Sequence, residues 1–329
     1  MRSGVLLLLL MSRLLTSLWA ADSLRVHHQR VMFWNVENAF WPADDPARQD
    51  DDFTPDGLHH WTTGRLRHKL SQLTRVILAA GNGQGPMLVG LAEVEGDSVM
   101  RYWTRNTPLW HQHYQYIVTE SPDVRGIQTA LLYQPLDFRL LGWASHQVPL
   151  PAGTHPTRAV LHAYGRLVSG DTLDVMVCHL PSRLGGARQS QPARDVAHRL
   201  VRHLADSVRQ ARLQPRIIIM GDMNDYPTAR HAWWGRGLTN LMLPLQQQLM
   251  RHPSAYGSHK YQGRWGFLDQ MIVNDTCGWS DARSFSLPFL LTPDESHLGH
   301  RPSRSFYGYH YEGGYSDHLP IVVDLEVRF

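Results

Sequence analysis

The chain has 329 residues, 43% of them hydrophobic and 19% charged, with 26 Gly, 20 Pro and a formal net charge of +3. This composition excludes wholesale disorder and a strongly basic, histone-like binder of nucleic acid, and two cysteines exclude a disulfide-dense scaffold or a Cys-rich zinc domain. Nearly all the positive charge is arginine, since lysine occurs only as Lys69 and Lys260; there are also 20 His and 11 Trp.

Residues 1–21 begin with Arg2, continue in an apolar run over 5–11 and end in Ala20 and Ala21. That is the layout of a cleavable export signal, and the run is shorter than the roughly 20 apolar residues of a spanning helix. An ordinary amphipathic helix broken by Arg13 is the competing reading. The expectation is a secreted or periplasmic protein, with 22–329 forming one soluble domain that does not insert stably in membranes. Without Arg2 and Arg13 that domain carries 30 basic residues against 29 acidic ones. An oxidising compartment permits a bridge between Cys178 and Cys277, but a strand position for Cys178 favours a free buried thiol.

Along the chain, 31–36 is the first apolar strand. The Asp-rich, proline-containing stretch 44–57 reads as a solvated loop, because it lacks the ligand spacing and terminal Glu of a calcium loop. Residues 64–80 place Leu66, Leu70, Leu73, Ile77 and Ala80 at helical spacing, and Gly81 and Gly83 stop the helix. Strands follow at 86–92, 114–119, 128–133 and 138–143, and 158–168 pairs with 173–179 around Ser169-Gly170-Asp171. Residues 191–211 are the clearest helix, with Val196, Leu200, Leu204 and Val208 on one stripe. Strands at 216–221, 267–273 and 319–327 complete the set, and 275–315 reads as long loops. Strand groups with helices between them predict two packed sheets flanked by helices.

The chemistry lies at the strand ends. Asn35 and Glu37 close the first strand, Glu93 the next, His179 a third, and Asp222 and Asn224 a fourth. Asp269 follows Leu268, and Asp317-His318 precedes the last strand. Singly, each is an ordinary turn or surface residue. Together they fall where layered sheets present a common edge.

The series Trp34-Asn35-Val36-Glu37, Leu91-Ala92-Glu93-Val94, Cys178-His179-Leu180-Pro181-Ser182-Arg183, Gly221-Asp222-Met223-Asn224-Asp225, Phe267-Leu268-Asp269 and Ser316-Asp317-His318-Leu319-Pro320 resembles the endonuclease/exonuclease/phosphatase superfamily, in a secreted bacterial branch. The resemblance runs from about Val31 to the C-terminus. It implies a four-layered α/β sandwich, with two mainly antiparallel sheets, that works as a divalent-metal-dependent phosphoesterase. A hard cation held by few carboxylates neutralises a phosphodiester in its transition state, which suits Mg²⁺, with Mn²⁺ or Ca²⁺ as alternatives.

By the same resemblance Glu93 is the principal metal ligand, with Asn35, Glu37 and Asp317 placing or sharing the ion. Asp222, with Asn224 beside it, positions and deprotonates the attacking water. His318 contacts the phosphate with Asp269 behind it, and His179 serves on the leaving-group side. Arg125, Arg158 and Arg183 are each either a phosphate contact or a structural arginine. The sequence departs from the common pattern at Glu37, where Asp is frequent, at Ala92, where Gln often precedes the Glu, and at Gln128.

The expected activity is phosphodiester hydrolysis by in-line water attack, on nucleic acid first, by a monomer. Inositol phosphates, nucleotides or lipid headgroups are the alternative substrates. A silent binding module is disfavoured, because Glu93, Asp222, Asp269 and His318 are all present.

Overall fold

The computed structural model describes residues 26–183, 185–228, 233–252 and 255–328. The expected export signal at 1–21 lies outside the described residues.

The strands that build the sheets are β1 (Val26–Ala39), β2 (Leu88–Val94), β3 (Gln115–Val118), β4 (Gln128–Tyr133), β5 (Phe138–His146), β6 (Val160–Leu167), β7 (Thr172–His179), β8 (Ile217–Asp222) and β9 (Thr239–Asn240). The chain continues through the hairpin β10 (His259–Tyr261) and β11 (Arg264–Gly266), then β12 (Asp269–Val273) and β13 (Trp279–Ser284). The hairpins β14 (Leu291–Pro293) with β15 (His300–Pro302) and β16 (Phe306–Tyr307) with β17 (His310–Tyr311) precede the last strand, β18 (Ile321–Arg328). Among the described residues four α-helices lie between them: α1 (Thr63–Ala80), α2 (Gly96–Asn106), α3 (Ala187–Ala211) and α4 (Leu243–Arg251).

One sheet runs β13-β18-β1-β2-β4-β3 and the other β5-β6-β7-β8-β12-β9. Both are mostly antiparallel, with one parallel pair each, β1 with β2 and β7 with β8. Strand alternation sorts the side chains into layers. In β1, Val31 and Phe33 join the core between the sheets, while Met32 and Trp34 join the core under α1 and α2. In the second sheet Met220 faces the first, and Ile217 and Ile219 face α3. The result is the four-layered α/β sandwich expected from the sequence. Gly90 sets the approach of the sheets, because a Cβ there would stand 2.9 Å from Met220 Sδ.

Two expectations are corrected. The buried stripe of α3 is Arg194, Ala197, His198, Val201, Ala205 and Val208; Leu200 and Leu204 pack at its flank and Val196 is half-buried. Small alanines at the contact let the helix lie close on the sheet, which a search for large apolar residues overlooks. The 275–315 region is not long loops but a strand and two short hairpins. The stretch 44–57 is a largely exposed loop, as expected, and it is anchored at two points: Phe53 stacks at 4.3 Å on both Phe40 and His59, and Asp50 is buried. Cys178 is a buried free thiol and Cys277 an exposed one.

Candidate active site

Strand register assembles the site. β7 and β8 pair His179 directly with Asp222, and β8 and β12 pair Asp222 with Asp269, so three functional groups stand in a row at one edge of the second sheet. On the first sheet Asn35 pairs with Ala92, and a register shift follows in both strands, at Asn35/Ala39 and Ala92/Val94. That irregularity presents Asn35 and Glu93 toward the row. Glu37, Asn38, Glu93 and Asn224 all have positive φ, between 50° and 65°. Non-glycine residues seldom adopt this conformation, and such strain gathers at functional sites.

The contacts are continuous across the two sheets. Asn35 Nδ2 donates to Asp222 Oδ2 at 3.1 Å and to Glu93 Oε1 at 3.3 Å. His179 Nε2 lies 3.7 Å from the same two oxygens. Asp222 Oδ1 accepts the Asn224 N–H at 2.9 Å, and Asn224 Nδ2 donates to the Leu180 carbonyl at 3.0 Å. His318 Nδ1 meets Asp269 Oδ2 at 2.7 Å, leaving Nε2 facing Asp222 Oδ2 at 4.0 Å. Ser316 clamps the approach of His318 by donating to the Asn35 carbonyl and accepting the His318 N–H. Trp34 Nε1 holds the His318 carbonyl at 2.8 Å.

Burial, and then the Asp269 carboxylate, push Asp222 up to about 6. Burial alone would lower His318, but Asp269, Asp317 and Asp222 outweigh it and hold the ring well above the usual histidine range. His179 has the opposite environment: burial, with Arg158 and Arg125 nearby, keeps it well below that range and hence neutral.

Glu37 and Asp317 occupy a neighbouring pocket. Glu37 accepts the N–H groups of Ser305 and Phe306, at 2.7 and 3.3 Å, and Arg304 Nε lies 3.7 Å away. Asp317 Oδ2 is bonded to Arg304 at 2.9 Å. Beneath them Lys69, 1% exposed, donates to Ser305 Oγ and to the Tyr315 carbonyl. Burial and Asp317 raise Glu37 to about 7, and burial lowers Lys69 to about 8. His259 stacks beside His318 at 4.7 Å, and burial and His318 lower it to about 4.

The arginines divide. Arg158 is buried, bonded to Asp123 at 3.3 Å and to the Leu180 carbonyl at 2.7 Å, so it braces the His179 strand end. Arg125 is half-exposed beside Asp123, and Arg183 lies over the Tyr226 ring at 5.2 Å.

The strand-end residues are thus brought together, with Glu37 and Asp317 in a connected second pocket. Lys69, Arg304, His259 and Ser305 were not expected from the sequence. Lys69 did leave a signal, as a charged residue beside Leu70 on the apolar stripe of α1 in a chain with two lysines. Arg304 and Ser305 come from a loop and His259 from the three-residue strand β10, too short for a periodicity to mark it.

The acidic and histidine groups fit a metal ion. Asp222, Asp269 and His318 each offer a ligand atom within 4.8 Å of the others, as do His259, Asp317 and His318. Buried Asp269 Oδ1 has no hydrogen-bond partner among the described residues. The carboxylate oxygens of Glu93 and Asp222, held together by Asn35 Nδ2, suit a hard divalent cation.

No curated protein matches the chain. Among solved structures, the human Nocturnin catalytic domain with bound sulfate is 18% identical, with a TM-score of 0.55 over 93% of this chain and 98% of that one. D. rerio TDP2 complexed with a single-strand DNA product is 17% identical, with a TM-score of 0.53 over 90% and 98%. An endonuclease/exonuclease/phosphatase family protein from Bacteroides thetaiotaomicron is 15% identical, with a TM-score of 0.58 over 92% and 96%. At these identities the likeness establishes the fold. The model of the endonuclease/exonuclease/phosphatase family matches residues 30–327, and the chain belongs to that family.

Proposed function

We propose that this protein hydrolyses phosphodiester bonds with a divalent cation, acts on nucleic acid, and is exported after loss of residues 1–21. The observation that carries the reading is the continuous chain of groups from Glu93 through Asn35 to Asp222, faced by the His318 ring that Asp269 orients.

Glu93 would hold the cation and Asn35 would place it through its hydrogen bond to that carboxylate, with Mg²⁺ the first choice and Mn²⁺ or Ca²⁺ the alternatives. Bound there, it supplies positive charge to the phosphoryl oxygens. Glu37 is already engaged by two backbone N–H groups, so it and Asp317 support the site through Lys69 and Arg304.

Asp222 accepts the proton of a water as its oxygen attacks phosphorus. Asn35 and the Asn224 N–H fix the orientation of that carboxylate. The protonated His318 donates from Nε2 to a non-bridging phosphate oxygen, and Asp269 fixes the ring and offsets its charge. Neutral His179 donates a hydrogen bond on the side where the ester oxygen departs; that oxygen takes up a proton from solvent. Action as a monomer is part of the proposal, and size-exclusion chromatography of the active protein tests it.

A panel of plasmid, single-stranded DNA, RNA, inositol phosphates and sphingomyelin, assayed with Mg²⁺, tests the reading. Hydrolysis of a nucleic acid, abolished by a chelator and restored by Mg²⁺, is expected. Failure of the folded protein to turn over any phosphoester would sink it. N-terminal sequencing of exported protein should begin near Asp22.

A further inference from the structure

An aromatic ring stands beside the site with no core to cover. Tyr307 is 54% exposed on β16, while its neighbour Phe306 is buried among Phe53, His59 and Trp61. The hairpin is held on its other strand as well, where Arg65 lies over Tyr311 at 4.2 Å. Phe306 and Tyr311 thus root the hairpin and leave Tyr307 facing outward.

Tyr307 is nevertheless held. The guanidinium of Arg301 lies 5.3 Å from its ring centroid and that of Arg304 5.9 Å. Each arginine is fixed by an acid, Arg301 by two hydrogen bonds to Glu312 at 3.0 and 3.1 Å, and Arg304 by Asp317 at 2.9 Å. Asp317 directly precedes His318. A flat ring is therefore connected, through Arg304 and Asp317, to the strand end that carries the histidine that would meet the phosphate.

We infer that Tyr307 stacks on an unpaired base next to the scissile phosphate, so that the enzyme selects single-stranded nucleic acid over duplex. The inference rests on the nuclease reading above. An aromatic face accepts any base, but only one whose own face is free, and bases within a duplex are already stacked. Charge points the same way. The two arginines beside the ring are each compensated by an acid, and residues 22–329 are nearly neutral, so little of the affinity comes from displaced counterions.

The test compares the parent protein, Tyr307→Ala and Tyr307→Phe on a labelled single-stranded DNA oligonucleotide, the same sequence as duplex, and bis-p-nitrophenyl phosphate. The parent is expected to prefer the single strand. Tyr307→Ala should lower kcat/KM on the single strand about tenfold or more, carried by KM, and by much more than on the small diester. Tyr307→Phe keeps the ring and should stay near the parent, which separates stacking from misfolding. A parallel loss on both substrates, no loss on the oligonucleotide, or a parent preference for duplex would each overturn the stacking role alone. A parent that turns over the small diester but no nucleic acid would overturn the nuclease reading and this inference with it.

Discussion

Asp222 and His318 meet across two strands and a loop, and each has a partner that leaves one functional atom facing the shared space. Replacing either removes the proposed base or the proposed donor to the phosphate. Asp222→Asn and His318→Ala should each lower kcat by about a hundredfold or more while leaving circular dichroism unchanged, and a near-parental rate in either would refute its role. Lys69 is a different case. It is a buried cation among Glu37, Asp317 and Glu93, and it holds the strap that carries Arg304 and Asp317. Lys69→Met leaves the buried Glu37 carboxylate without that counter-charge and should cost about 3 kcal/mol or more in urea unfolding. The strand-end acids and histidines were legible in the sequence because each ends an apolar run. Arg304 and His259 were not, since a loop and a three-residue strand carry no pattern and only the fold brings them to the site.

At the scale of elements, α3 shows where periodicity misleads. Its large apolar residues predict a stripe through Leu200 and Leu204, yet Ala197, Val201 and Ala205 form the contact, with His198 beside them stacked on Trp233 at 4.6 Å. Burial lowers His198 from 6.5 to about 4. Between those values the unfolded chain binds the proton and the folded one does not. The stabilisation is therefore complete above pH 6.5 and is lost as the pH falls toward 4. The full shift corresponds to about 3 kcal/mol. His198→Phe keeps a flat ring on Trp233 and removes this titration, so denaturation midpoints should depend less on pH between 4 and 6.5 than in the parent. An unchanged acid limb would mean that His198 contributes nothing to it.

For the whole molecule, stability and site geometry come from the same contact between sheets. Met220, fully buried, lies against Gly90 and Phe33 two residues before Asp222. Met220→Ala should cost about 2–5 kcal/mol in denaturant unfolding, the range for emptying a packed core position. It should also lower kcat, because the cavity loosens the β8 end that carries Asp222. A variant with the stability loss and full activity would separate the core from the site.

The sequence by itself determined the alternation of strands and helices, the layered class of fold and the order of the strand-end residues, because local periodicity and turn chemistry act over a few neighbours. Tertiary structure alone decided which residues face one another. Register placed His179, Asp222 and Asp269 in one row, and the irregular ends of β1 and β2 brought Asn35 and Glu93 to it. Only the folded chain could set Tyr307 beside the site, since its anchors Phe53, Arg65 and Asp317 are scattered through the sequence and meet through packing that no local pattern encodes.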